Sequence, residues 1–186
     1  MATGVLNMSL PLGHLALGAT VYDLCSSDRQ SMFRNWRPAL LVTILANLPD
    51  IDMIFGLILR DEGGAFHRGA THSILFALLA AFASANAWRM WPRLPRIGFF
   101  LGFAIILSHL LADYFLTSAP VSFLWPLNVY SVPAIGGWGQ VVHVAVQVYH
   151  DLGLIMVCGA VILCRRLVAA DYLSPGLLTS LFRSGT

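Results

Sequence analysis

Apolar residues gather into five blocks along this chain, at residues 10–25, 38–59, 70–91, 97–116 and 141–164, with short arginine-bearing breaks between most of them. A helix needs about twenty apolar residues to cross a hydrocarbon core roughly 30 Å thick, so the last four blocks predict membrane-spanning helices. The first block rises only about 24 Å as a helix and either thins the bilayer or stops inside it. It follows a start with no basic region, which predicts a retained helix rather than a cleaved signal peptide. No internal repeat is present, and the one long break, residues 117–140, is rich in Pro, Gly, Trp and Tyr and is predicted to cap something.

Composition agrees with the pattern. With 58% hydrophobic and 11% charged residues, the chain is too apolar for a soluble domain of its 186 residues. The fold class is therefore all-α: a polytopic membrane bundle of about five helices, forming a single domain over residues 1–186. A formal charge of +2 excludes a nucleic-acid surface. Cys25, Cys158 and Cys164 lack metal-ligand or disulfide spacing and read as packing residues.

All eleven basic residues are arginines. If all five blocks cross, Arg29, Arg34, Arg37, Arg89, Arg93, Arg96, Arg165, Arg166 and Arg183 share one side, and Arg60 and Arg68 occupy the other. A nine-to-two split places the richer side in the cytoplasm and the N-terminus outside.

Ionisable residues remain inside the blocks, where a charge at the bilayer centre costs at least ~2.5 kcal/mol and marks function by default. They are His14; Asp50 and Asp52 in Leu48-Pro49-Asp50-Ile51-Asp52; His67, Arg68 and His72 in His67-Arg68-Gly69-Ala70-Thr71-His72-Ser73; His109 and Asp113; and His150 with Asp151. Counted from the nearest cytoplasmic arginine, Asp50 and His109 lie about 20 Å deep, His14 and His150 about 22 Å, and His72 and Asp113 about 25 Å. Five helices thus place polar groups in one layer, recessed some 5 to 10 Å below the non-cytoplasmic boundary. Three carboxylates in a low-dielectric layer need compensating positive charge, and a divalent metal supplies it. His109 and Asp113, spaced i and i+4, share a helix face and can grip one ion. Pro49 withdraws a backbone N–H and is predicted to kink or end its helix, freeing carbonyls and turning both aspartates toward a cavity.

Read singly, each histidine could equally be helix–helix glue, and an aspartate could be the partner of Arg68. Read together, His14, Asp50, Asp52, His67, His72, His109, Asp113 and His150 form the expected metal set, with zinc the first choice and manganese the second. Arg68 is the expected catalytic residue, pairing with a phosphate oxygen. His143 and Gln147 share a stripe with His150 at the outer lip. Trp125, Tyr130 and Trp138 read as an interfacial aromatic belt that could also steady the long loop.

The motifs Gly13-His14-Leu15-Ala16, Leu48-Pro49-Asp50-Ile51-Asp52, His67-Arg68-Gly69 with Thr71-His72-Ser73, Ser108-His109-Leu110-Leu111-Ala112-Asp113 and, more loosely, Leu124-Trp125-Pro126 resemble those of a known family. It is the LexA-regulated inner-membrane metal-dependent hydrolases. The resemblance runs from about residue 13 to residue 127 and stops there. It implies a bacterial inner-membrane location and a metal-binding set of His14, Asp50, Asp52, His67, His72, His109 and Asp113. The order His, Asp, His, then His-x-x-x-Asp also resembles zinc-dependent phospholipases C. Their later His-x-x-x-Glu is replaced here by His143 with Gln147, and the family's glycine after the His-x-x-x-Asp helix by Thr117-Ser118-Ala119-Pro120.

The expectation is a metal-dependent membrane hydrolase whose site faces the non-cytoplasmic side. Its expected substrate is a phosphate ester of a membrane lipid or lipid-linked molecule, since two close divalent ions suit phosphoester chemistry. The alternative is a non-catalytic metal-binding or metal-transporting membrane protein. A conduction path needs polar groups at several depths, whereas residues 38–46 and 97–107 are almost wholly apolar.

Overall fold

The computed structural model describes residues 11–26, 31–116, 120–127, 129–131 and 138–169, with the side chains of residues 31, 33, 138–151 and 169 outside that description. Its helices are α1 (Pro11–Cys25), α2 (Ser31–Arg34), α3 (Trp36–Asn47), α4 (Ile51–Arg60), α5 (Ile74–Met90), α6 (Phe99–Leu116) and α7 (Trp138–Ala169). Three 3-10 turns, Leu48–Asp50, Gly63–Phe66 and Ala70–His72, interrupt them on one side of the bundle. Among the described residues, the single extended pairing is an antiparallel bridge between Val121 and Ser131. The all-α bundle expected from the apolar blocks is what forms, with five helical passages when α3 and α4 are counted as one.

Trp36–Arg60 and Phe99–Leu116 are long and apolar enough to cross a membrane, and Ile74–Met90 is apolar but shorter. The apolar pattern predicts that the third block is helical from residue 70. Instead, Ala70–His72 is a 3-10 turn and α5 begins only after Ser73, whose hydroxyl caps the helix by accepting from Phe76 N–H at 3.1 Å. The second block breaks where Pro49 removes a backbone donor. There α3 gives way to the Leu48–Asp50 turn before α4 resumes.

Helix α1 packs against α3, α6 and α7, and α6 packs against α3 and α5. The core between them holds Val42, Leu45, Ala46, Ile105, Ile106 and Leu110. Helix α5 makes its contacts through small residues and turns large ones outward, as expected of a helix that sits in lipid rather than water. On α5, Ala77, Ala81 and Ser84 are buried, whereas Leu75, Leu79 and Phe82 are exposed. At Gly18 a Cβ would lie 2.7 Å from the Ala46 side chain and 3.3 Å from Ile105, so α1 can approach α3 and α6 only with glycine there.

The ends of the bundle differ in chemistry. At one end the buried carboxylate of Asp23 accepts from Arg166 Nη2 at 2.9 Å, and Arg165 Nη1 donates to the Asp23 carbonyl at 2.9 Å, tying α1 to α7. Arg96 lies over the Trp88 ring at 4.1 Å, in the segment between α5 and α6. At the other end α4 stops at Asp61, whose left-handed φ of 53° lets its N–H reach back to the last turn. The chain then doubles back over Gly56, whose carbonyl accepts from Glu62 N–H at 3.3 Å. A Cβ on Gly56 would strike the Glu62 and Gly63 carbonyls. This reversal returns residues 63–72 to the broken helix at Pro49.

Candidate metal centre

Four segments deliver side chains to one buried cluster: His14 from α1, Asp50 and Asp52 from the break between α3 and α4, His67 and His72 from the returning loop, and His109 with Asp113 from α6. His14, Asp52, His72, His109 and Asp113 are all buried. Each arrives for a local reason. Asp50 and Asp52 flank the start of α4, set by Pro49. His72 ends the 3-10 turn closed by Ser73 N–H on the Ala70 carbonyl at 3.3 Å. His109 and Asp113 stand one helical turn apart on the buried face of α6, with His109 Nε2 3.9 Å from Asp113 Oδ2.

The last carbonyls of a helix lack intrahelical partners. Ala46, in the last turn of α3, offers its carbonyl to His109 Nδ1 at 2.8 Å. A carbonyl can only accept, so His109 carries a hydrogen on Nδ1, and in the neutral ring Nε2 is then the bare nitrogen facing the cluster. On His72, Nδ1 lies 3.2 Å from Asp52 Oδ2, and its Nε2 lies 3.3 Å from His109 Nε2. Around these two nitrogens stand Asp113 Oδ2, 3.2 Å from His72 Nε2, and Asp50 Oδ1, 3.4 Å from His109 Nε2 and 3.6 Å from His72 Nε2.

Asp50, His72, His109 and Asp113 could hold a metal ion, each offering one ligand atom with all four atoms within 4.8 Å of one another. Ligands about 2.0–2.2 Å from a tetrahedral zinc stand about 3.3–3.6 Å apart. Of the edges that the two imidazoles make with each other and with the two carboxylates, three, at 3.3, 3.4 and 3.6 Å, fall in that range, and the other two, at 3.2 and 3.9 Å, lie just outside it. Charge points the same way. Three carboxylates share this site, and the guanidinium beside them among the described residues is that of Arg68, 3.7 Å from Asp113 Oδ2.

The remaining predicted residues surround this set. His14 stacks on His109 with ring centroids 3.7 Å apart, and its Nε2 lies 3.5 Å from Asp113 Oδ1, while its buried Nδ1 has no hydrogen-bond partner. Asp52 and His67 form with His72 a second group able to hold an ion. His67 Nδ1 is 3.2 Å from Asp52 Oδ1 and 3.9 Å from Asp50 Oδ1. Arg68 is buried with a left-handed φ of 64°, costly for an L residue. Its carbonyl is held by Ser122 N–H at 3.1 Å. The side chains of His143, Gln147, His150 and Asp151, the Trp138 ring and much of the 117–140 break lie outside the described residues.

Thr71 has no role in the sequence reading, yet its hydroxyl donates to Asp52 Oδ2 at 2.6 Å. Its place beside His72 is the signal that could have found it. The Ala46 carbonyl carries no such signal, since any residue supplies one; only the break at Pro49 hints at it. Asp23 is a further residue that the sequence reading misses, although an acid in an apolar block calls for a search for its arginines.

The segment after α6 returns over the cluster, pinned where Ile74 N–H donates to the Phe123 carbonyl at 3.0 Å. Between it and α4 lies a cavity of about 510 Å³. Asp52, His67 and Thr71 supply its polar lining, and Phe55, Leu59, Phe66, Trp125 and Tyr130 its apolar walls. Two of the aromatics read as an interfacial belt, Trp125 and Tyr130, also line this cavity.

Fold and site together define an all-α membrane bundle with a buried His/Asp cluster at one end. The chain belongs to the YdjM inner membrane protein family, whose sequence profile matches residues 8–174. The match extends well past residue 127, where the motif resemblance stops, because α7 carries an apolar pattern rather than a compact motif. The inner membrane protein YbcI of Escherichia coli strain K12 is 38% identical over 88 residues, which are 45% of this chain and 50% of that protein. The chain thus spans about half the length of the curated relative it matches. No solved structure matches it. The protein is a bacterial inner-membrane protein.

Proposed function

We propose that this protein is a metal-dependent hydrolase that cleaves a phosphate ester of a lipid or lipid-linked molecule at the non-cytoplasmic face of the inner membrane. Asp50, His72, His109 and Asp113 would hold the divalent ion; a donor set of two imidazoles and two carboxylates favours zinc over manganese, which prefers more oxygen ligands. For hydrolysis the ion would have to take a water in addition to these four donors, as zinc can when its shell expands, and would then lower the pKa of that water and polarise a phosphoryl oxygen. The observation that carries the reading is the pairing of this ion-compatible set with a cavity whose lining is polar at Asp52, His67 and Thr71 and apolar at Phe55, Leu59, Phe66, Trp125 and Tyr130. That division suits an amphiphile, with the headgroup beside Asp52 and His67 and the chain against the aromatics.

In this reading Asp113 and Asp50 bind, His109 is oriented through Ala46, and Arg68 supplies a guanidinium for a phosphate oxygen while lying beside Asp113. His14 is stacked on the face of His109, with its Nε2 3.5 Å from Asp113 Oδ1. Against transport stands the plug of Val42, Leu45, Ile105 and Ile106, fully or almost fully buried. Purified protein should contain zinc and should release the headgroup or phosphate from long-chain phosphorylated lipids in mixed micelles. Protein that binds no divalent ion when supplied with zinc, or that carries zinc yet turns over no phosphoester, would defeat the proposal.

A further inference from the structure

We infer that Asp52 is a positioning residue that holds two imidazoles by their Nδ1 hydrogens, rather than a ligand of the ion. The inference rests on reading Asp50, His72, His109 and Asp113 as the ion site, and it concerns what lies around them.

Both oxygens of Asp52 face hydrogen-bond donors of the protein. Oδ2 accepts from the Thr71 hydroxyl at 2.6 Å and lies 3.2 Å from His72 Nδ1. Oδ1 lies 3.2 Å from His67 Nδ1. An ionised carboxylate has no hydrogen to give, so each imidazole facing it is best matched by placing its hydrogen on Nδ1. For His72 this choice leaves Nε2 bare, toward Asp113 Oδ2, Asp50 Oδ1 and His109 Nε2. The two central histidines are then held alike: His109 by a backbone carbonyl on Nδ1, His72 by a carboxylate on Nδ1, and both with Nε2 inward. Partners of this kind fix the tautomer and ring orientation of metal-binding histidines and raise their basicity.

The same carboxylate fixes His67, which lines the cavity together with Asp52. With Nδ1 engaged, Nε2 is the ring nitrogen of His67 left for a molecule in that cavity. One aspartate thereby couples the geometry of the ion site to that of the cavity lining. A second ion bound by Asp52, His67 and His72 would instead require Nδ1 of His72 to be bare, against its setting between a carboxylate and a hydroxyl.

Cobalt(II) tests this without reliance on turnover. Wild-type protein in detergent, loaded with cobalt, should bind one equivalent and show the intense visible bands of a four-coordinate site. Asp52→Asn should keep that equivalent and those bands at saturating cobalt, with affinity reduced about 10- to 100-fold, the usual cost of losing such an outer partner. Asp50→Asn should lose the bands. His67→Gln should keep the equivalent with wild-type affinity, which maintains the test if Asp52→Asn fails to fold by size-exclusion chromatography. Loss of the bands in folded Asp52→Asn at saturation would overturn the inference, making Asp52 a ligand. Two equivalents in the wild type falling to one in His67→Gln would overturn it in favour of a second ion. A wild type that binds no cobalt would overturn both this role and the ion site itself, whereas failure of the role alone leaves wild-type binding intact.

Discussion

At the scale of single residues, the cluster separates groups that would hold an ion from groups that act beside it. Asp50→Asn and His109→Ala each remove one of four converging atoms and leave an incomplete set. Both variants should purify with less than a tenth of the wild-type zinc, measured by plasma mass spectrometry, and should lack activity. Arg68→Gln removes the guanidinium that lies 3.7 Å from Asp113 without removing a converging atom. It should keep zinc but turn over phosphorylated lipids at least tenfold more slowly, about 1.4 kcal/mol of transition-state stabilisation. Wild-type rates for Arg68→Gln on every active substrate would leave Arg68 with only its structural contact to Asp113. The residues of this cluster are legible in the sequence because each is an ionisable group in an apolar setting. Which atom of each faces which neighbour is not, since the orientation of His109 depends on a carbonyl 63 residues away.

At the scale of helices, contact along α1 sets the site through α3. Gly18 faces Ala46, whose carbonyl orients His109. Gly18→Val should destabilise the protein by about 1–3 kcal/mol through overpacking. It should also weaken zinc binding, although Gly18 touches no ligand; a lowered melting temperature in detergent with unchanged zinc affinity would break the link between packing and site. Helix α7 raises a question of register. Counting along the sequence places His150 level with His14 by measuring from Arg165 and Arg29, but α1 ends at Cys25, and Asp23 is the residue that meets Arg166. Measured from that ion pair, His14 is nine residues along α1, about 14 Å, and His150 is sixteen along α7, about 24 Å. Counted along straight helices running the same way from the pair, the two positions differ by about 10 Å. The arginine count places His150 in the layer of His14, so His150→Ala should lose zinc; full zinc in that variant would remove the fifth passage from the centre and favour the register measured from the ion pair. The apolar blocks foretell the helices well, but the 3-10 turn at Ala70–His72 escapes them because the third block counts Ala70 as its start and runs across the polar Thr71, His72 and Ser73, whereas the continuous apolar run begins at Ile74.

At the scale of the whole molecule, the two ends of the bundle differ in chemistry, and that difference predicts an orientation. The Asp23–Arg166 pair and the Arg96–Trp88 contact lie at the loop ends of α1, α7, α5 and α6. His14, His72, His109 and Asp113 lie toward the other ends of α1, α5 and α6. Nine of the eleven arginines belong to segments expected on the first side. Inner-membrane proteins retain arginine-rich loops in the cytoplasm, so the cluster and its cavity should open toward the opposite face. A reporter active only in the cytoplasm, fused after Arg93, should give signal, and the same reporter fused after Gly64 should give none. A reporter active only outside the cytoplasm should show the reverse pattern at the two points. Cytoplasmic signal after Gly64 together with external signal after Arg93 would invert the protein in the membrane. The ion site would survive that result unchanged, because its geometry is internal to the bundle. The substrate would then have to come from the cytoplasmic leaflet, and the search for it would move there.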